Sequence, residues 1–276
     1  MKVKKNSSLN MNIKKFKKTI GEYYRKHGRK MPWRETDDPY RILVSEIMLQ
    51  QTQVDRVAKK YPEFIAAFPH FKILASAPLK NVLRVWTGMG YNRRALYLKK
   101  IAETVVRTYQ GVVPKEITEL ERLPGIGPAT ARSIAAFAFN MPHAFIETNI
   151  RSVFIHEFFP GCRTVADVKL MPLVEQALDK KNPREWYYAL MDYGAMIKKQ
   201  AHNPSRRSAH HAQQPKFKGS NRELRGKMLK VLIKKSHTLA DLMKGVSVSR
   251  QQLKQNLNAL QNEGLLTKRN GKFIIA

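Results

Sequence analysis

Acidic residues are scarce in this chain. Only 21 Asp and Glu stand against 51 Lys and Arg over 276 residues, a formal net charge of +30. Such an imbalance argues against a cationic partner and for a polyanion, because net charge governs association rather than fold. Cysteine is almost missing: the single Cys162 excludes an intrachain disulfide and any metal cluster held by several thiolates. Long apolar runs are missing too, since no window approaches the ~18 consecutive apolar residues of a membrane helix. The basic start lacks the apolar core of a secretory signal. No basic amphipathic tail with large exposed apolar residues marks a membrane surface as the polyanion. The expectation is therefore nucleic acid as partner, no membrane, and a cytoplasmic location, nucleoid-associated if the cell is bacterial. There are no internal repeats and no low-complexity tract, and 43% hydrophobic content is that of a folded globular chain.

What is present is mostly helical patterning. Residues 1–30 carry eleven Lys and Arg against one acid, Glu22. Within them Ile13, Phe16, Ile20 and Tyr23 recur at helical spacing, which predicts an amphipathic helix with its lysines outward. Asp38 before Pro39 is a helix start, and the apolar residues Val44, Ile47, Met48, Val54, Val57 and Ala58 predict one helix running past residue 54. Further helices are expected at about 63–75, 79–86, 93–109, 116–122, 129–139, 149–158, 167–179 and 184–199. Alternating apolar-polar runs are nearly absent before residue 264, so the body reads as all-α. Residues 201–220 are loop chemistry. From 221 to 276 the pattern is three short helices and two strands around Asn270-Gly271, a dipeptide favoured in two-residue hairpins. That order is winged-helix-like, and its twelve Lys and Arg against three acids give it a net charge of +9. Three segments follow: a helical body at 1–200, a basic loop at 201–220 and a small C-terminal domain at 221–276.

Two words stand out chemically. In Leu123-Pro124-Gly125-Ile126-Gly127, two glycines flank one apolar residue between helices, which lets backbone approach a phosphate closely, although a tight helix-helix turn needs such glycines as well. In the segment from Ser45 to Val54, the residues Glu46, Gln50 and Gln53 fall at i, i+4 and i+7 and predict a polar stripe on one helix face. A solvated face is the usual meaning of such a stripe. This one holds no Lys or Arg in a chain saturated with both, and a glutamate beside amides suits a site that protonates and hydrogen-bonds a ligand.

The words PWR, DPY, SEIMLQQTQV, FP, VWTGMGYNRRA, LPGIG and MDYGAM occur here in order. Together they resemble the helix-hairpin-helix DNA glycosylase superfamily, most closely its MutY-like adenine branch, over about residues 10–200. The resemblance implies an all-α helix-hairpin-helix glycosylase fold of two helical lobes with a cleft between them, acting on double-stranded DNA; the chain is expected to be a monomer. It implies that Glu46 protonates the departing base and that the carboxylate of Glu147 steadies the sugar cation, with Asn149 helping to hold the site. Arg34, Leu49, Gln51 and Tyr188 match the base pocket. Gln50 and Tyr91 match residues that fill the gap left by a flipped base. Gly125, Ile126 and Gly127 would hold phosphate, joined by Arg206 and Arg207 in the loop and by Arg250 and Lys254 on the third C-terminal helix. The alternative for the C-terminal domain is a protein-docking module, against which its positive charge favours DNA.

The departures from the family are specific. Glu147 stands where Asp is usual, and Tyr188 where the adenine branch has Gln or Glu. Ala129 replaces the nucleophilic lysine of related glycosylase-lyases, which predicts a monofunctional enzyme. The small C-terminal domain stands where the family has its 8-oxoguanine-reading domain. The four cysteines that hold an iron–sulfur cluster correspond to Lys198, Ser205, Ser208 and Gln214, so no cofactor is expected. His202, His210 and His211 lack a zinc-ligand spacing, and no metal is expected either. The leading expectation is excision of adenine opposite 8-oxoguanine or guanine. Its alternatives are excision of thymine or uracil from G mismatches or of a damaged purine, and non-catalytic binding of distorted DNA.

Overall fold

The computed structural model describes residues 2–200, 203–246 and 248–276, with side chains from residue 12 onward. His202 lies outside the described residues. The chain begins with α1 (Lys2–His27), α2 (Pro39–Leu49), α3 (Val54–Ala67), α4 (Phe71–Ser76), α5 (Leu79–Trp86), α6 (Arg93–Thr108) and α7 (Ile117–Glu121). Next come α8 (Pro128–Phe139), α9 (Thr148–Phe158), α10 (Asp167–Ala177), α11 (Pro183–Gln200) and a 3-10 turn at Pro204–Arg207. The last elements are α12 (Asn221–Leu232), α13 (Leu239–Lys244), α14 (Arg250–Asn262) and the strands β1 (Leu266–Arg269) and β2 (Lys272–Ile275). The body is helical, as its periodicity predicts. Among the described residues no helix is long and apolar enough to cross a membrane.

The chain divides into two compact units. One holds the residues up to 37 with 115–117 and 127–213, and the other holds 38–114, 118–126 and 214–276. This division does not follow the expected boundaries at 200 and 221: it runs through the helical body and groups the C-terminal segment with α2 to α6.

In the first unit α11 packs on α1, α8 and α9. Ile13, Phe16 and Ile20 form the buried stripe of α1. The Phe16 ring meets Phe154, Phe158 and Trp186 edge-on, with centroids 5.2, 5.1 and 6.0 Å away. Such aromatic contacts add to the burial that anchors a helix whose other faces are lysine-rich.

In the second unit α6 packs on α2, α4 and α5. The Asp38 side chain accepts from the Tyr40 N–H at 2.9 Å with Pro39 in the first turn, the predicted helix start. Two predicted helices are broken. The stretch expected at 63–75 is interrupted between Ala67 and Phe71, where Pro69 has no N–H to offer a helix. The helix expected to run from Pro39 past Val54 stops at Leu49, and Gln51 takes a positive φ of 53°. The cause lies in α6. The Arg94 guanidinium, buried at 6% exposure, donates to the carbonyls of Ile47 and Met48 at 3.0 and 2.8 Å and also to that of Gln50. It satisfies the last carbonyls of α2, so the chain is free to turn.

The C-terminal segment forms as its pattern predicts. Leu224, Met228 and Leu232 of α12 are buried with Leu253, Leu257 and Leu260 of α14, and the Ser249 side chain caps α14 by accepting from Gln252 N–H at 3.1 Å. The strands are antiparallel, with Thr267 opposite Ile274, and Asn270 and Gly271 turn between them at φ 48° and 75°. His237 and Phe273 exchange backbone hydrogen bonds at 3.2 and 2.8 Å, which adds a one-residue third strand.

Candidate active site

Glu46 is half-buried on α2, between neighbours that are almost all buried: Ile42 to Ser45 before it, Ile47 and Met48 after it. It is the one acid of that helix. The helix ends three residues later, so Gln50 and Gln53 do not continue a stripe with Glu46. They flank a turn, Gln50 as the C-cap of α2 and Gln53 as the N-cap of α3. The predicted i, i+4, i+7 stripe is thereby corrected, because Arg94 ends the helix before its second turn of amides. The turn nevertheless meets the glycine hairpin: Gln50 Nε2 donates to the Gly125 carbonyl at 3.2 Å.

The hairpin requires its first glycine. Gly125 has φ 78°, and a Cβ there would run into the ring of Tyr97. Gly125 and Gly127 are exposed, whereas Ile126 is buried at 5% exposure and its N–H is taken by the Leu123 carbonyl at 3.1 Å. Ile126 therefore anchors the hairpin to the core, and its N–H is already bonded within the turn, which differs from the phosphate contact expected of it. Gln50, Gln51, Tyr91 and Tyr97 line one cavity of about 480 Å³ with Asn221 and Arg222 of α12. The Arg222 guanidinium lies 5.2 Å from the centre of the Tyr91 ring. Arg250 and Lys254 are exposed on α14 and do not line this cavity.

In the first unit Glu147 is the N-cap of α9. Its Oε1 accepts the N–H groups of Asn149 and Ile150 at 2.7 and 2.9 Å, and its Oε2 accepts Asn149 Nδ2 at 3.2 Å. A carboxylate on the positive end of a helix with N–H donors at both oxygens is an arrangement for a fixed negative charge. Asn149 Oδ1 in turn accepts Lys198 Nζ at 2.8 Å. Burial lowers the Lys198 pKa, while the charge of Glu147 acts to raise it and that of Arg151 to lower it.

Arg34 and Tyr188 also meet. The guanidinium lies 4.4 Å from the centre of the Tyr188 ring, which also stacks on Phe137 at 4.7 Å and 5°. The Arg34 Nη groups are held at 2.9 Å by both oxygens of Asp192, which is 2% exposed and also takes Arg29. Burial raises the Asp192 pKa, but the hydrogen bonds from Arg34 and Arg29 outweigh it and leave the carboxyl below its ordinary range. Leu49 is half-exposed and Gln51 exposed, both in the second unit. Periodicity missed Arg94 and Asp192, although each shows a signal: a charged residue set on the apolar stripe of its helix.

The loop after α11 departs from expectation at Arg207. Its guanidinium turns inward and donates to the carbonyls of Phe159, Pro160, Cys162 and Ile155 at 2.6, 3.0, 3.1 and 3.3 Å. Those donors are occupied, so Arg206, which is exposed, carries the phosphate-facing expectation alone. Ser205 and Ser208 are buried at 3% and 6% exposure, and Ser208 pairs its backbone with Val165. At the positions where the resemblance would set four thiolates, Lys198, Ser205, Ser208 and Gln214 offer an ammonium, two hydroxyls and an amide, a donor set that does not fit an iron–sulfur cluster. Among the described residues no group of three His, Cys, Asp or Glu is placed to hold a metal ion.

Known proteins resemble this chain in sequence and in fold. A family model described as HhH-GPD superfamily base excision DNA repair protein matches residues 44–193. An adenine DNA glycosylase of Buchnera aphidicola subsp. Baizongia pistaciae is 36% identical over 184 residues, 66% of this chain and 52% of that protein. One from Mycolicibacterium smegmatis is 32% identical over 229 residues, covering 76% and 78%. The chain spans about half the length of the Buchnera relative. Among solved structures, a thermostable thymine-DNA glycosylase is 30% identical with a TM-score of 0.62, over 68% of this chain and 88% of that one. A non-covalent endonuclease III–DNA complex, at 19% identity and a TM-score of 0.57, shares the fold.

Proposed function

Because the chain belongs to the HhH-GPD superfamily of base excision DNA repair proteins, we propose that it is a monofunctional DNA glycosylase that removes adenine mispaired with 8-oxoguanine or guanine. It grips double-stranded DNA as a monomer through the exposed backbone of Gly125 and Gly127 and through its basic surfaces, including Arg206, Arg250 and Lys254. Gln50 and Tyr91 occupy the gap as the nucleotide leaves the stack, since a base buried in the duplex offers no access to its glycosidic bond. Glu46 donates a proton to the base, the C1′–N bond breaks, and the electron pair leaves with the neutral base. The charge that develops on the sugar is met by the carboxylate of Glu147. Water adds at C1′ and its proton returns to Glu46, which restores the acid and leaves an abasic site. Leu49, Gln51, Tyr188 and Arg34 shape the base pocket, Arg34 by holding the Tyr188 ring. No metal or cluster takes part in this scheme.

The observation that carries the proposal is Glu46, the lone acid of α2, set among buried neighbours and at the position that the resemblance assigns to the proton donor. The test is product analysis on duplexes carrying A opposite 8-oxoguanine, G or T, and T or U opposite G. Free adenine from the first two, lost in Glu46→Gln with DNA binding retained, is the expected result; turnover should fall ~10²–10⁴-fold. Full activity of Glu46→Gln refutes the mechanism, and binding without release of any base leaves a recognition protein.

Tyr188 favours a second reading. A buried aromatic, packed against Phe137 and Arg34, stands where the resemblance implies a hydrogen-bonding side chain in the adenine branch. Thymine release from G·T duplexes without adenine release selects that reading.

A further inference from the structure

The carboxylate of Glu147 is held through Asn149, and Asn149 is held by a residue of another helix. Its side-chain amide has two chemically different ends, an oxygen that accepts and a nitrogen that donates. Lys198 Nζ donates to Oδ1 at 2.8 Å, while Nδ2 donates to Glu147 Oε2 at 3.2 Å. An ammonium has donors only, so it can meet only the oxygen end of the amide. That leaves Nδ2 aimed at the carboxylate. With the ammonium gone, Oδ1 loses its donor, and the 3.2 Å hydrogen bond from Nδ2 to Glu147 is left to hold the amide's orientation by itself. Each time the looser amide swings away, Glu147 loses a donor and is held less firmly in place.

The packing of α11 on α9 makes the contact possible. Gly194 lies one helical turn before Lys198, on the same face. A Cβ at Gly194 would come within 2.6 Å of the Asn149 carbonyl oxygen, so the two helices approach as closely as backbone allows. Lys198 then reaches the amide from a half-buried position. The nearby Arg151 does not compete for it, because its guanidinium is bound to Asp167 at 2.8 and 2.6 Å.

We propose that Lys198 is a positioning residue for excision: by fixing the polarity of the Asn149 amide it holds the Glu147 carboxylate where the sugar charge develops. The proposal rests on the glycosylase function proposed above. Lys198 touches neither base nor sugar in this scheme. Its effect belongs to the chemical step, because a carboxylate displaced by a fraction of an ångström stabilises the developing charge less while the grip on DNA is unaltered.

The experiment compares Lys198→Met, Lys198→Arg, Asn149→Ala and the Lys198→Met/Asn149→Ala double variant in the full chain. It reads single-turnover excision at saturating duplex, Kd for DNA and its salt dependence. Lys198→Met should slow excision by about 10–100-fold with Kd unchanged. Lys198→Arg, which also carries only donors, should recover most of the rate. The double variant should be no slower than Asn149→Ala, because the lysine acts only through the amide. A Lys198→Met protein that excises normally overturns the proposal, as does one that loses DNA affinity and salt dependence at an unchanged excision rate. If the wild-type protein releases no base from any duplex, the glycosylase reading fails by itself. The geometry is then tested by the Asn149 side-chain amide signals of ¹⁵N-labelled protein: Lys198→Met should shift them and hasten their hydrogen exchange, and unchanged signals overturn the proposal.

Discussion

Arg207→Met separates two roles that a basic loop residue can have. In the structure the guanidinium reaches four carbonyls, those of Ile155 and Phe159 at the end of α9 and those of Pro160 and Cys162 just beyond. A hydrogen bond from a charged donor contributes ~1.5–3 kcal/mol, more where its partner is left dry. The four are not additive, since three share one nitrogen and the carbonyls beyond α9 lie near solvent that can replace the lost donor. A positive charge at a helix C-terminus adds a few tenths to ~1 kcal/mol. The net loss should be about 2–3 kcal/mol, which for a chain of this size lowers Tm by roughly 4–10 °C. DNA binding should keep its salt dependence, because an inward guanidinium releases no counterions from the duplex. Arg206→Met should do the reverse, leaving Tm unchanged and reducing the slope of log K against log salt by ~0.9, the share of one phosphate contact. Thermal melting and a salt titration of DNA affinity on both variants decide the matter. An Arg207→Met protein that melts with the wild type and loses one unit of salt slope refutes the inward assignment.

Three further outcomes test the site. Glu147→Asp should leave stability within ~0.5 kcal/mol, since Asp is a preferred N-cap, and should still excise; loss of excision with the cap intact would show that the reaction depends on the longer side chain. Asp192→Asn should destabilise the protein at neutral pH. Because the Asp192 carboxyl is depressed on folding, its contribution is present above the ordinary value of 3.8 and fades as pH falls through the lower folded value; urea midpoints of variant and wild type should therefore converge in acid, and a constant gap down to pH 2 contradicts the linkage. The excision product should be an intact abasic strand that breaks only on alkali or amine treatment, because Ala129 offers no amine. A covalent adduct trapped by borohydride would reveal a lysine nucleophile.

Much of the molecule is written locally. The spacing of Ile13, Phe16 and Ile20 makes α1, Asp38-Pro39 starts α2, Ser249 starts α14, and Asn270-Gly271 closes the hairpin, since each depends on residues within a turn or two of one another. The excess of positive charge and the lone acid of α2 are equally visible in the chain alone. What the linear pattern did not hold is which buried polar group meets which. The end of α2 at Leu49 is decided by Arg94, and the polar stripe expected beyond it becomes a turn. Arg34 meets Asp192 from 158 positions away, Lys198 meets Asn149 from 49, and Arg207 turns inward to carbonyls 45 to 52 residues earlier. Helical periodicity specifies a face. A buried ion or carbonyl must instead be satisfied by whatever donor or acceptor the packed helices bring within about 3 Å, and that pairing exists only once the chain has folded.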